Sequence, residues 1–248
     1  MTPPSSRAAD MKKKVLVVTL AGAIAVVVIV GVIIATQGST SAPKAVGTLG
    51  SDANAPASLV SAAQAVGFAP IVEPGVGQAE DKPASAGQPP SATTLLPVGA
   101  TAPAFDLKTP LGDSVSLASF KGKAVLVEFF ATWCPHCDAN APYLEALYTS
   151  LPKSKVAFVA INADGETAPS VYAYHVYYGM TYPAVLDPSS KPGDFHNPGA
   201  AGPVTTAYGI EYFPTFYIVD AKGKVAWRGD GEQPDALLKQ ELLKAAGA

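Results

Sequence analysis

The sequence predicts an α/β domain over residues 98–248. One central mixed sheet is flanked by helices and extended by an N-terminal β-hairpin, and a single transmembrane helix and a flexible linker precede it. Three observations carry this reading. Two nearly continuous apolar runs, Ala124–Phe130 (AVLVEFF) and Val156–Asn162 (VAFVAIN), suit strands covered on both faces. Helical patterns follow each run, which gives the strand–helix–strand order of a layered α/β fold. All ten Tyr, both Trp and eight of the nine Phe lie in this stretch of 151 residues, a length that suits one domain.

In chain order, 104–107 and 114–117 read as two short strands around a Pro110-Leu111-Gly112-Asp113 turn. After the first buried strand, a helix is expected from 134 to about 151, and after the second, another over 169–178. Ala184–Leu186 is a short extended piece. Residues 188–205, rich in Pro, Gly and Ser, read as a loop longer than usual, carrying His196. Thr215–Val219 and 224–228 flank an Asp220-Ala221-Lys222-Gly223 turn and form a hairpin. The chain closes with an amphipathic helix over 235–246, with Leu238, Leu242 and Ala245 on one face.

The whole-chain averages of 248 residues, 48% hydrophobic and 15% charged, conceal segments of different kinds. Residues 15–35 contain no charge over 21 positions, and a helix of that length spans roughly 30 Å, the hydrocarbon thickness of a bilayer. Arg7, Lys12, Lys13 and Lys14 precede it, so residues 1–14 are expected in the cytoplasm and everything after residue 35 outside the cell membrane. The run is longer than the ~7–15 residues of a signal-peptide core, which favours an uncleaved anchor. In residues 37–97, 39 of 61 positions are Ala, Pro, Gly, Ser or Thr. With one Phe and no Tyr or Trp, the stretch 36–97 reads as a flexible tether with an end-to-end distance on the order of 40–50 Å. Within it, 58–72 has the composition of a short helix. The net charge of -3, without a basic block, argues against nucleic-acid binding.

The chemistry-bearing motif is Trp133-Cys134-Pro135-His136-Cys137. Two cysteines in the first turn of a helix are able to close a small disulfide ring. The first sulfur lies near unpaired N–H groups and the positive end of the helix dipole, both of which favour the nucleophilic thiolate. Pro135 suits the first helical position. His136 has a hydrogen bond or a charge to offer the thiolate, and stabilising the reduced form makes a disulfide a stronger oxidant. A structural disulfide and a metal site compete with this reading. A four-residue ring stabilises a fold weakly, and a metal would need two more ligands, for which His175 and His196 are isolated.

Glu128 is a carboxylate inside the apolar strand. Burial raises its pKa toward neutrality and suits it to be the general base that deprotonates Cys137. The alternative is an edge-strand glutamate facing solvent. Pro214, leading a buried strand after Phe213, suits either a cis bond or a trans edge position.

Together these residues resemble the thioredoxin superfamily. The stretches VGATAPAFDL, SLASFKGKAVLVEFFATWCPHC and AYGIEYFPTFYIVDAKGKV are similar to the membrane-anchored TlpA/ResA-type thiol–disulfide oxidoreductases. The resemblance implies a thioredoxin-like fold, with Cys134 as nucleophile and Cys137 as the residue that resolves the mixed disulfide. It implies that Pro214 is cis and faces the disulfide, that Phe213 offers backbone to substrate, and that Trp133 shields the sulfur. It also implies exported cysteine-containing proteins as substrates and an integral membrane thiol carrier as electron partner. No cofactor beyond the Cys134–Cys137 disulfide and no metal is called for. His136 is closer to DsbA-like oxidants, whereas Trp133 and Glu128 are closer to reductases, so a disulfide-forming oxidase is the main alternative. Strand 156–162 lacks a lysine that would share Glu128's proton. A peroxidase would want Thr and Pro where Ala131 and Val127 stand, and a copper module would want three residues between the cysteines.

Overall fold

The structure, a computed structural model, describes residues 47–71, 95–189 and 201–247. The proposed span 15–35, the N-terminal residues 1–14, and residues 190–200 with His196 lie outside the described residues. Among the described residues no helix is long and apolar enough to cross a membrane.

The described elements run α1 (Ala57–Val66), β1 (Asp106–Lys108), β2 (Ser114–Ser116), a short 3-10 helix (Leu117–Phe120), β3 (Ala124–Phe130), α2 (Pro135–Ser150), β4 (Val156–Asn162), α3 (Ala168–Tyr177), β5 (Ala184–Leu186), α4 (Pro203–Tyr208), β6 (Thr215–Val219), β7 (Val225–Asp230) and α5 (Asp235–Ala245). Seven strands form one mixed sheet in the order β2-β1-β5-β4-β3-β6-β7. The β3–β4 and β4–β5 pairs are parallel, and β3–β6, β6–β7, β1–β5 and β1–β2 are antiparallel. This is the thioredoxin-like α/β fold expected from the sequence.

The two long apolar runs are buried along their whole length because each is an interior strand with a core on both faces. Alternation along β3 sends Leu126 and Phe130 to one core, with Phe158, Leu144, Tyr174, Tyr182, Leu238 and Leu242. Val125, Val127 and Phe129 go to the other, with Val159, Ile161, Tyr208 and Tyr217. Glu128 shares the parity of Leu126 and Phe130, so it projects into the core that also holds both cysteines.

Three expectations need correction. Residues 47–71 of the stretch read as a flexible tether are folded onto the domain. Helix α1 buries Ala63 against Tyr172 and Ala173, supported by Leu59 and Val60. Gly67 ends it in the left-handed conformation at φ 63°. Phe68 then sits edge-on to Tyr174, Tyr177 and Tyr178, at 5.4, 5.3 and 6.1 Å between ring centroids. The short helix expected over 58–72 is present as α1, but its docking was not visible to composition because its own apolar content is small; the domain's tyrosines supply the other half of the interface. The second correction is that the domain begins before residue 98. Leu95 is buried, the Leu96 N–H donates to the Tyr217 hydroxyl at 3.0 Å, and Arg228 Nη1 donates to the Leu96 carbonyl at 2.9 Å. Third, the loop reading of 188–205 overlaps helix α4. Its first turn is capped by buried Asp187, whose carboxylate accepts from the Thr205 N–H at 2.6 Å and the Thr205 hydroxyl at 2.7 Å.

Phe68→Ala is expected to release the strap while leaving the sheet intact. Edge-on aromatic pairs contribute about 0.5–1.5 kcal/mol each beyond area burial. Amide exchange across 57–71 should therefore accelerate by roughly tenfold or more, while exchange in β3 and β4 stays unchanged.

Candidate active site

The site lies at the carboxyl ends of β3 and β4, where a parallel sheet exposes the loops that follow its strands. Strand β3 delivers the chain through Ala131-Thr132-Trp133 to Cys134, which is the N-cap of α2. Pro135 occupies the first turn, as expected from its preset φ. Both cysteines are free thiols, Cys134 at 3% and Cys137 at 0% exposure. The Cys134 sulfur accepts a hydrogen bond from the Cys137 backbone N–H at 3.2 Å.

The two thiols are pushed in opposite directions. Cys134 lies below the ordinary thiol value because the Cys137 thiol and the backbone N–H groups of Cys137 and His136 stabilise its thiolate, and these outweigh partial burial and the nearby Asp138. Cys137 lies well above the ordinary value, chiefly because it is fully buried, and then because the negative Cys134 and Glu128 are close. Of the two thiols, Cys134 is thus the one that gives up its proton more readily, and Cys137 the one that holds it.

Glu128 is 3% exposed on a central strand between β4 and β6, so the edge-strand alternative does not apply. Burial, with a smaller contribution from the charge on Cys134, raises its carboxyl to about 8. Among the described residues no lysine, arginine or histidine pairs with it.

The Phe213–Pro214 bond is cis. Phe129 pairs with Thr215, which sets Pro214 beside the end of β3, where the cysteine turn begins. The Trp133 ring stands edge-on to Phe213 at 6.0 Å, and at 45% exposure it forms part of the rim together with exposed Tyr212. Trp133, Phe213 and Pro214 are thus brought to one side of the cysteine turn. His136 is turned elsewhere: its Nδ1 lies 2.5 Å from Glu232 Oε1, in the connection between β7 and α5.

Several residues at the site went unnoticed in the sequence. Glu166 accepts from the Thr132 N–H at 2.7 Å and from the Thr132 hydroxyl, and also from Asn162 Nδ2 at 2.7 Å. Asn162 returns a bond by accepting the Glu166 N–H at 3.0 Å. Asp164 accepts from the Trp133 indole N–H at 2.7 Å. The β4–α3 loop therefore clamps the residues that immediately precede Cys134. The signal was present as two acids directly after a buried parallel strand, at the strand end where such sheets place their sites. Asp138, next to Cys137, is the third. Burial raises it to about 6, against opposing contributions from the Ile71 N–H, at 2.7 Å, and the Tyr178 hydroxyl. Among the described residues no group of three or more His, Cys, Asp and Glu side chains is placed to hold a metal ion.

A thioredoxin-like sheet with a dithiol at the start of its first crossover helix defines a redox protein of the thioredoxin class. Comparison with known proteins agrees. The redoxin family profile matches residues 97–244, and the chain belongs to that family. It is 32% identical over 149 residues to the thiol-disulfide oxidoreductase ResA of Geobacillus thermodenitrificans, a match covering 60% of this chain and 78% of the relative. It is 33% identical over 132 residues to the ResA of Geobacillus kaustophilus, covering 53% and 68%. Among solved structures, a putative thiol:disulfide interchange protein DsbE from Chlorobium tepidum superposes with a TM-score of 0.52 at 25% identity, over 61% of this chain and 99% of that one. The chain is a thiol–disulfide oxidoreductase with a thioredoxin-like redox function.

Proposed function

We propose that this protein is a membrane-anchored extracytoplasmic reductase that transfers electrons to disulfides of exported proteins. The observation that carries the exchange chemistry is the division of labour between the thiols: a lowered Cys134 at the helix N-terminus and a raised, fully buried Cys137 beside Glu128. The reductase direction is supported by the similarity to the ResA relatives and by the anchor that precedes the domain. The Cys134 thiolate attacks one sulfur of a substrate disulfide, forming a mixed disulfide and releasing the other sulfur as a thiolate, which takes a proton from water. With the charge on Cys134 gone, Glu128 loses its proton to solvent and then takes the proton of Cys137. The Cys137 thiolate attacks the Cys134 sulfur, the second substrate sulfur leaves as a thiolate that is protonated in turn, and a Cys134–Cys137 disulfide remains. Two electrons have passed from the dithiol to the substrate. Phe213 and Pro214, beside the turn, offer the substrate chain a backbone to lie along, and the Trp133 ring packed on Phe213 flanks that groove.

A chain acting as reductase must be recharged, and an integral membrane thiol carrier is the partner this reading requires. The charge-free run at 15–35, with basic residues before it, supports anchoring in the lipid bilayer with the domain outside.

The reduction potential of the Cys134–Cys137 couple tests the direction. A value near that of thioredoxin, about -270 mV, supports a reductase, and one near that of DsbA, about -120 mV, overturns it in favour of an oxidase.

A further inference from the structure

A histidine between the two cysteines is a group that, turned toward the first sulfur, stabilises the thiolate by a hydrogen bond or by charge. Because it favours the reduced form, it makes the disulfide more oxidising. In this structure the His136 ring is engaged elsewhere. Its Nδ1 meets Glu232 Oε1 at 2.5 Å, the length of a charge-assisted hydrogen bond. The groups that favour the Cys134 thiolate are the Cys137 thiol and two backbone N–H groups; the His136 ring is not one of them.

Glu232 is held in place rather than left to wander. It follows Gly231, whose φ of 72° turns the chain after β7 and whose N–H donates to the Pro214 carbonyl at 2.8 Å. On its other side, Gln233 Nε2 closes the turn on the Asp230 carbonyl at 2.8 Å. The carboxylate side chain is 15% exposed, whereas the His136 side chain is 49% exposed. The better-buried partner thus fixes the orientation of the freer one.

We propose that Glu232 is a positioning residue that holds the His136 ring off Cys134 and so keeps the Cys134–Cys137 couple more reducing than an unpaired Cys-Pro-His-Cys turn would be. The carboxylate acts in two ways. It engages Nδ1 and so fixes the ring toward the β7–α5 connection, and its negative charge offsets any positive charge on the ring. Both leave the reduced form, a thiolate on Cys134 and a proton on Cys137, with less support, and so make the two electrons easier to give away. The inference rests on the reading of Cys134 and Cys137 as the redox pair, and it accounts for an oxidase-like histidine in a site that otherwise has reductase features.

The experiment is a double-mutant cycle on the full chain, equilibrating wild type, Glu232→Gln, His136→Gln and the double variant with reduced and oxidised glutathione. Glu232→Gln should raise the equilibrium constant for reduction of the disulfide by roughly tenfold, about 30 mV, and should move the Cys134 thiol titration to lower pH. In the His136→Gln background the same substitution should change neither. An unaltered constant in Glu232→Gln overturns the proposal. So does an equal shift in the His136→Gln background, which would assign the effect to the carboxylate acting directly. Melting of each variant separates a loosened turn, which lowers Tm without the paired shift in potential. If wild type shows no reversible couple, the redox reading itself fails; if it shows one and Glu232→Gln is silent, only the role of Glu232 fails.

Discussion

Cys134→Ser is expected to abolish disulfide reduction, with a fall of roughly three orders of magnitude or more, because no other group at the site is able to form the first bond. Cys137→Ser is expected to fail differently. Its Cys134 still attacks, but Cys137, buried directly behind it, is no longer there to release the substrate, so the mixed disulfide accumulates. A non-reducing gel and intact mass measurement on Cys137→Ser incubated with a disulfide-bonded substrate check this. The expected result is a covalent adduct, cleaved by excess thiol and absent from Cys134→Ser. An adduct on Cys134→Ser instead would reverse the roles assigned to the two sulfurs.

Glu128→Gln should slow the resolving step by about a hundredfold, at the low end of what general-base catalysis contributes, while leaving alkylation of Cys134 within a few-fold of wild type. The causes of the Glu128 shift explain why it acts at that step. Part of its rise comes from the charge on Cys134. Once Cys134 is tied to substrate that charge is gone, Glu128 ionises more readily, and the base is ready when Cys137 has to lose its proton. Rapid-quench measurement of adduct decay across pH should show the wild-type rate titrating below the value of about 8 held by the free dithiol, and no such titration in Glu128→Gln.

The same carboxyl makes a stability prediction. Its folded pKa is raised from an ordinary 4.5 to about 8, so the fold favours the protonated form. That stability is fully present below 4.5 and is lost as pH rises through 8, at about 1.4 kcal/mol for each pH unit between those values. Thermal melting between pH 5 and pH 9 should show the wild type weakening, with the fall flattened in Glu128→Gln. The smaller rise of Asp138, to about 6, acts in the same direction over a lower range.

Much of this site was legible in the sequence because it is written locally. An apolar run with one carboxylate, a pair of cysteines at a helix start and a proline ahead of a strand are patterns within a dozen residues, and the fold places each as its local chemistry requires. The clamp of Glu166 on Thr132, the pairing of Glu232 with His136 and the strap on the tyrosines of α3 were not legible. Each joins segments far apart in the chain, and nothing in either segment alone names its partner. The strap is the clearest case. Alanine-rich sequence with one phenylalanine is a poor core by its own content, and it folds because Tyr174, Tyr177 and Tyr178 offer Phe68 a ready-made aromatic surface.

The antiparallel register of β3 with β6 has a consequence for how the protein comes into being. Val125 pairs with Val219 and Phe129 with Thr215, so the central strand gains one of its two neighbours only when the last part of the chain arrives. Such long-range closure is slow relative to local helix formation. Until it occurs, Glu128 is not sealed between β4 and β6, Pro214 is not beside the cysteine turn, and Glu232 is not within reach of His136. A chain that has not yet closed this pairing therefore carries two ordinary thiols and an ordinary acid. Its exchange chemistry therefore switches on at the end of folding, when the last strands close on β3.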